Sequence, residues 1–581
     1  MTLSLFYALF FFSGGAGLAY QLAWSRMFAA GLGHEMPAVL ATVFAFMGGM
    51  AIGAWALDGL LSRSRRPACW YGWLEILIGL WGLLSTALIP LANQSALRLI
   101  GLEPSGLHQW SVAFAIPFLT LLPATAAMGA TLPAVERVVA PLVAGGRCVG
   151  GLYAANTLGA VVGILTSAFA MVPALGFRRS AWLLGAINLL CGVIALLVGA
   201  RTSLTARTAD SEPLRPGSPE SAHEPRPLTP SLSPNGGEGG RRPGEGDSRF
   251  MAPTHVQSLE VFAAHARSAV RAPFAAWRLG LTVFATGLFG IGFETVGVRV
   301  LAQVLENTVY TFAAVLAVFL LGTSIGAALY QRVAVRRGSI GGPPTGVCEP
   351  RALQGNPSPF LLADLLVGSS LVCLLGVVAL GEAETIFKTC RSTLGDGSLA
   401  VSAAEMTVVS MVFLLPTIFM GATFSHLAQA ARRKDGGVGQ AAALNTFGGA
   451  LAAAFFPVFL LPFIGSKWTL TLIALAYLLW VPRVSGWRWG FLAAPVVLVS
   501  ALPADLHLVQ VHPGGRIVKY HEGVMASVSV VEDANRDRVL RVDNRFQMGG
   551  TAAAAAEYRH AHIPLLLHPA PKRALFLGLG T

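Results

Sequence analysis

The chain has 581 residues, 54% of them hydrophobic and 12% charged, with a mean hydropathy of +0.62. Soluble chains carry about 25% charged residues, so this composition excludes a disordered chain and argues against a wholly soluble enzyme. The 41 basic and 29 acidic residues leave a net charge of +12. In membrane proteins such an excess collects on cytoplasmic loops, and no basic stripe of the kind that binds nucleic acid is found.

Met1 to Phe12 is apolar but lacks a basic leader and a cleavage site, so it reads as the start of a first span rather than a signal peptide. Apolar runs near 4–24, 37–60, 70–92, 111–134, 148–173 and 179–200 predict a first six-span half over 1–200. Residues 201–272 are different material, rich in Pro, Gly and Ser with nearly balanced charge, and read as a disordered linker. Runs near 279–303, 309–331, 359–381, 404–430, 439–463 and 468–482 predict a second half over 273–486, and 487–504 is a possible thirteenth span. The six cysteines (69, 148, 191, 348, 373 and 390) include no CxxC pair, and neither a disulfide framework nor a metal site is expected.

The two halves are copies. A shift of 273 residues carries Gly17, Arg26, Ala29, Leu32, Ala41, Phe46, Gly49, Ile52, Gly53 and Ala54 onto identical residues from Gly290 to Ala327, and sets Gln21 against Glu294. The match resumes at Met128-Gly-Ala-Thr131 with Met420-Gly-Ala-Thr423, at Asn156 with Asn445, and at Leu175-Gly176 with Ile464-Gly465. Six spans per half give both halves the same orientation, so the fold class is a mainly α-helical polytopic membrane protein. The parallel repeat resembles that of major-facilitator transporters. Arg63, Arg65 and Arg66 after span two, and Arg432, Arg433 and Lys434 after span ten, place the N-terminus in the cytoplasm; Arg178 and Arg179 oppose this and are outnumbered. An inner-membrane, multi-pass location follows.

Ionisable groups at bilayer depth are costly and need a reason. Arg26 and Arg299, with Gln21 and Glu294 five residues earlier, either line a central cavity or snorkel to the interface. Glu75 and Asp364 in the third span of each half form either a substrate or proton site or an inter-helix hydrogen-bond lock. Asn156 and Asn445 suit close helix packing. The chain carries no Walker A motif, so ATP-driven pumping is not supported.

After Pro503 the period becomes that of strands. Val524–Glu532 and Arg538–Asp543 predict a hairpin broken at Gly549-Gly550, and a short helix toward His560 limited by Pro564 follows. Lys572 to Thr581 predicts a buried strand entering a glycine turn, the opening of an incomplete Rossmann-like domain. The run Asp543-Asn-Arg-Phe-Gln547, His562-Ile-Pro-Leu-Leu-Leu-His-Pro569 and Pro571-Lys-Arg-Ala-Leu-Phe-Leu-Gly-Leu-Gly-Thr581 resembles the start of spermidine synthases. With Ser13-Gly-Gly-Ala-Gly-Leu-Ala-Tyr-Gln-Leu-Ala-Trp-Ser-Arg26 it resembles bacterial proteins in which a multi-span domain precedes a spermidine-synthase-like domain.

That resemblance implies an aminopropyltransferase-like tail over 505–581, using decarboxylated S-adenosylmethionine and a polyamine. It assigns Gln547, Gly578 and Gly580 to the nucleotide donor and His562, with nearby Tyr558, to the amine. The family's tyrosine falls on Ala556, and its acidic and catalytic residues would lie past Thr581, so no catalytic residue is assigned and catalysis is not expected of the chain as given. The alternative is a membrane transporter of a small solute, cationic or not, with the lipid bilayer as partner; which side holds the tail depends on whether 487–504 crosses.

Overall fold

A computed structural model describes residues 2–33, 35–143, 149–210, 255–305, 309–339, 359–395, 397–432, 438–482, 489–544 and 546–575. Residues 1–199 and 279–581 form one compact unit and 200–278 a second. The first half comprises α1 (Thr2–Leu32), α2 (Glu35–Arg63), α3 (Pro67–Ile100), α4 (Gly106–Val139), α5 (Val149–Thr166) and α6 (Val172–Asp210). The second comprises α7 (His255–Leu301), α8 (Val309–Ser339), α9 (Pro359–Gly381), the short α10 (Ala383–Leu394), α11 (Ser398–Arg432), α12 (Val438–Ala454) and α13 (Leu461–Ala476). Among the described residues ten helical stretches are long and apolar enough to cross a bilayer, and the two longest, 151–201 and 439–480, are each a pair of spans joined at a hinge. Counted at the hinges, the described residues hold twelve such stretches, and the chain is a multi-pass membrane protein.

The hinges show that the repeat is structural. Gly176 (φ 74, ψ 169) and Gly465 (φ 77, ψ 167) adopt the same left-handed backbone between spans five and six of each half, a conformation that only glycine reaches without strain. A π-helical turn precedes each, at Ser167–Met171 and Phe455–Leu460. Asn156 Nδ2 donates to Phe10 O (3.2 Å) and Asn445 Nδ2 to the equivalent Val283 O (3.0 Å). A Cβ on Gly53 would stand 1.8 Å from Ala126 O, and one on Gly326 1.9 Å from Ile418 O. The small residues thus let backbones touch where lipid supplies no hydrophobic drive between helices.

The stretch expected to be linker is helical at both ends, since α6 continues to Asp210 and α7 begins at His255. The second segment, 255–272, carries five alanines among other helix formers, which the overall Pro/Gly/Ser bias of the region conceals. Residues 211–254 lie outside the described residues.

The possible thirteenth span is α14 (Trp489–Leu498), continued by one 3₁₀ turn to Ala501 and packed on α9. Its ten residues rise only about 15 Å. Pro503 nevertheless stands against Gly381 at the end of α9, and Lys467 Nζ donates to Ala504 O at 2.9 Å. The tail thus begins beside the end of α9 and the start of span twelve, on the side opposite Arg63; these two sides are called the tail face and the Arg63 face.

The tail is an antiparallel meander of β1 (Arg516–Glu522), β2 (Ser527–Glu532), β3 (Arg538–Val542) and β4 (Phe546–Gly550), followed by α15 (Ala554–Leu567). Gly549 and Gly550 do not break the hairpin: they pair with Leu540 and Val539 as the end of β4 across a register shift. β1 was not anticipated, because its run Arg-Ile-Val-Lys-Tyr-His-Glu alternates poorly. Pro564 does not stop α15, which runs one turn past it. Residues 571–575 form no strand and are exposed, and Gly578 and Gly580 lie outside the described residues. All described strands are antiparallel, so the parallel-strand edge of a Rossmann-like site has no counterpart among them. Glu532 ties the meander together between Arg538 Nε (3.0 Å) and Arg516 Nη2 (2.9 Å), which hold its carboxyl below the usual range.

Candidate functional site: a cavity between the two halves

A small, part-open cavity of about 70 Å³ lies where the halves meet. Helical spacing builds it twice. On α1 the residues Gln21, Leu22 and Ser25, one turn of a single face, point into it; on α7 Glu294, Thr295 and Val298 do the same, at the positions equivalent under the 273-residue shift. Val39 and Val43 of α2 are matched by Phe312 and Leu316 of α8. Arg26, Met36, Leu40, Ile164 and Val315 complete the lining. These positions fall late in α1 and α7 and early in α2 and α8, so the cavity lies toward the tail face.

The symmetry is broken in charge. Glu294 is half-buried, and no donor among the described residues reaches its carboxylate. Arg26 lines the same cavity, but its guanidinium is engaged by Glu35 at the start of α2. Ser25 Oγ donates to Gln21 O (2.7 Å) and Thr295 Oγ1 to Ile291 O (2.9 Å), each closing on its own helix. The acidic group left for a ligand to meet is therefore the Glu294 carboxyl, set among mostly aliphatic side chains.

Toward the Arg63 face the halves close on each other. A Cβ on Gly48 of α2 would lie 3.8 Å from Ala450 Cβ of α12, and Met47 lies over Gly449. Asp58, at the end of α2, accepts from Arg137 Nη2 of α4 (2.7 Å) and reaches Gly439 in the first turn of α12, where a helix N-terminus favours negative charge. Sequence reasoning missed Asp58 and Glu35. Each is an acid near a helix end, and only the fold shows which cation it meets.

The other candidates separate. Glu75 is fully buried inside the first half, away from the cavity lining. It accepts from Ser13 Oγ of α1 (2.5 Å) and Asn188 Nδ2 of α6 (2.7 Å), a three-helix hydrogen-bond lock. Asp364 is exposed in the second turn of α9. The two do not form an equivalent pair, because helix starts differ between the halves and the matching shift is not constant. Arg299 neither lines the cavity nor snorkels. It is 3% exposed and Nη1 donates to Asp543 Oδ1 of the tail at 2.9 Å. In the tail, Gln547 is exposed on β4, and Tyr558 and His562, also exposed, have ring centroids 6.4 Å apart on α15.

No family model and no curated protein matches the chain. Solved structures similar to it include the proton:xylose symporter XylE of the major facilitator superfamily, bound to 6-bromo-6-deoxy-D-glucose (13% identity, 86% of this chain and 99% of that one, TM-score 0.41). They also include a bacterial homologue of the human lysosomal transporter Spinster in an inward-facing, unoccupied conformation (12%, 86% and 94%, 0.37) and the nucleoside transporter NupG (12%, 86% and 99%, 0.35). At these identities and scores the likeness assigns neither solute nor mechanism.

Proposed function

We propose that the chain is a membrane carrier for a small organic cation, bound between the halves with Glu294 as its counter-charge. One observation carries this: a carboxylate with no protein donor among the described residues, facing a cavity whose arginine is already neutralised by Glu35. A charge held at bilayer depth without a partner marks a site for one. The largely apolar walls, Phe312 among them, favour a cation with a hydrocarbon body. Apolar pockets with few polar groups are the usual form of small-molecule sites.

The carrier sits in the cytoplasmic membrane with Arg63, Arg65 and Arg66 inside, by the distribution of positive charge; the tail then faces outward. The aminopropyl-transfer reading of the tail is not carried further, since no geometry among its described residues favours a nucleotide site.

The test is uptake by proteoliposomes of labelled tetraethylammonium, spermidine, xylose and uridine. Saturable entry of a cation, with the neutral solutes at background, is expected. Entry of xylose or uridine alone, or of none of the four, overturns the proposal.

A further inference from the structure

The pair Arg299–Asp543 lies outside that cavity, yet it stands where the repeat says something should. Arg26 and Arg299 are equivalent, each five residues beyond the cavity residue of its helix, Gln21 or Glu294. In the first half Arg26 finds its acid locally, in Glu35. The residue at the equivalent position of the second half is Thr308, which carries no charge. Arg299 is met instead by an acid 244 positions along the chain.

The meeting is a built one. Asp543 Oδ1 also accepts from Ser527 N (2.8 Å) and Ser527 Oγ (3.2 Å), while Arg299 Nε donates to Gly523 O (3.3 Å). Two further ties flank it. Ser466, at the start of span twelve, donates from N and Oγ to Glu522 (2.5 and 2.8 Å), and Tyr520 OH donates to Gln303 Oε1 just past α7 (3.2 Å). Burial, then the neighbouring Glu522 charge, raises the Tyr520 phenol above its usual range, which keeps it a donor. All these partners belong to the second half. An arginine this buried needs its counter-ion, because removing one member of a buried pair strands the other.

We infer that the tail is a working part of the second half: Asp543 replaces, from far along the chain, the acid that Glu35 provides in the first half, and so holds the end of α7, with Glu294 on it, in binding position. Asp543 and Arg299 are thus positioning residues for the cavity. The inference rests on the cation-site reading above, and its experiment separates the two.

The full chain in nanodiscs is compared as wild type, Asp543→Asn, Asp543→Glu and Asp543→Asn with Thr308→Glu. Two quantities are measured: equilibrium binding of tetraethylammonium, and the rate at which trypsin releases the tail. Asp543→Asn is expected to weaken binding about tenfold, the upper part of the range for coupling through packed elements, and to speed tail release. Asp543→Glu should keep both near wild type. Adding Thr308→Glu should restore binding while leaving the tail easily released, which a merely structural tail would not allow. Unchanged binding in Asp543→Asn overturns the inference, as does failure of Thr308→Glu to restore it. If the wild type binds no tetraethylammonium, the cation-site reading fails with it, and unchanged tail release in Asp543→Asn would remove the clamp independently.

Discussion

Glu294→Gln is expected to reduce cation uptake by about 30-fold to several-thousand-fold with little change in the amount of folded protein. The substitution is nearly isosteric and removes only the charge. Losing one member of a desolvated charge pair costs about 2–5 kcal/mol, and each 1.4 kcal/mol is about tenfold. No donor among the described residues depends on this carboxylate, so folding has little to lose. Glu294→Asp keeps the charge but withdraws it by one methylene, and should fall between the two. Initial uptake rates at saturating and limiting solute check this. Equal rates in wild type and Glu294→Gln would show that the carboxylate does not face the solute.

Glu75→Leu is expected to destabilise the first half by about 2–4 kcal/mol, whereas Asp364→Asn should change stability by less than about 0.5 kcal/mol. Glu75 joins three helices, and leucine would leave the Ser13 hydroxyl and the Asn188 amide without their acceptor in a dry interior. Each stranded buried group costs about 1–3 kcal/mol. Hydrogen bonds between membrane helices average nearer 0.6 kcal/mol, which keeps the expected loss in the lower part of the roughly 2–6 kcal/mol that two stranded groups could cost. Asp364 is exposed and its change touches no lock. Thermal unfolding of the purified variants, followed by labelling of the buried Cys191 and Cys373, measures both. Equal effects at the two positions would contradict the assignment of Glu75 as a lock.

The duplication was readable because helix packing in a bilayer repeats small residues at fixed places. Gly53 and Gly326, Asn156 and Asn445, and the hinges at Gly176 and Gly465 kept both identity and geometry. Gln21 and Glu294 were legible as equivalent positions for the same reason, and both lie on the cavity lining. Partners were not legible. Nothing in a linear pattern says that Arg26 meets Glu35 rather than Gln21, or that Arg299 meets Asp543 across most of the second half. The tail misled for another reason. Glycines read as breakers when taken alone, but Gly549 and Gly550 pair across a register shift where the meander turns back.

Passage of solute between the halves requires α2 and α12 to part on the Arg63 face. Gly48→Cys with Ala450→Cys tests this most directly, because the 3.8 Å between their Cβ positions suits a disulfide. Oxidation of the double variant in proteoliposomes is predicted to stop tetraethylammonium uptake and reduction to restore it, with each single variant unaffected. Uptake that continues at the wild-type rate in fully cross-linked protein would contradict passage between the halves.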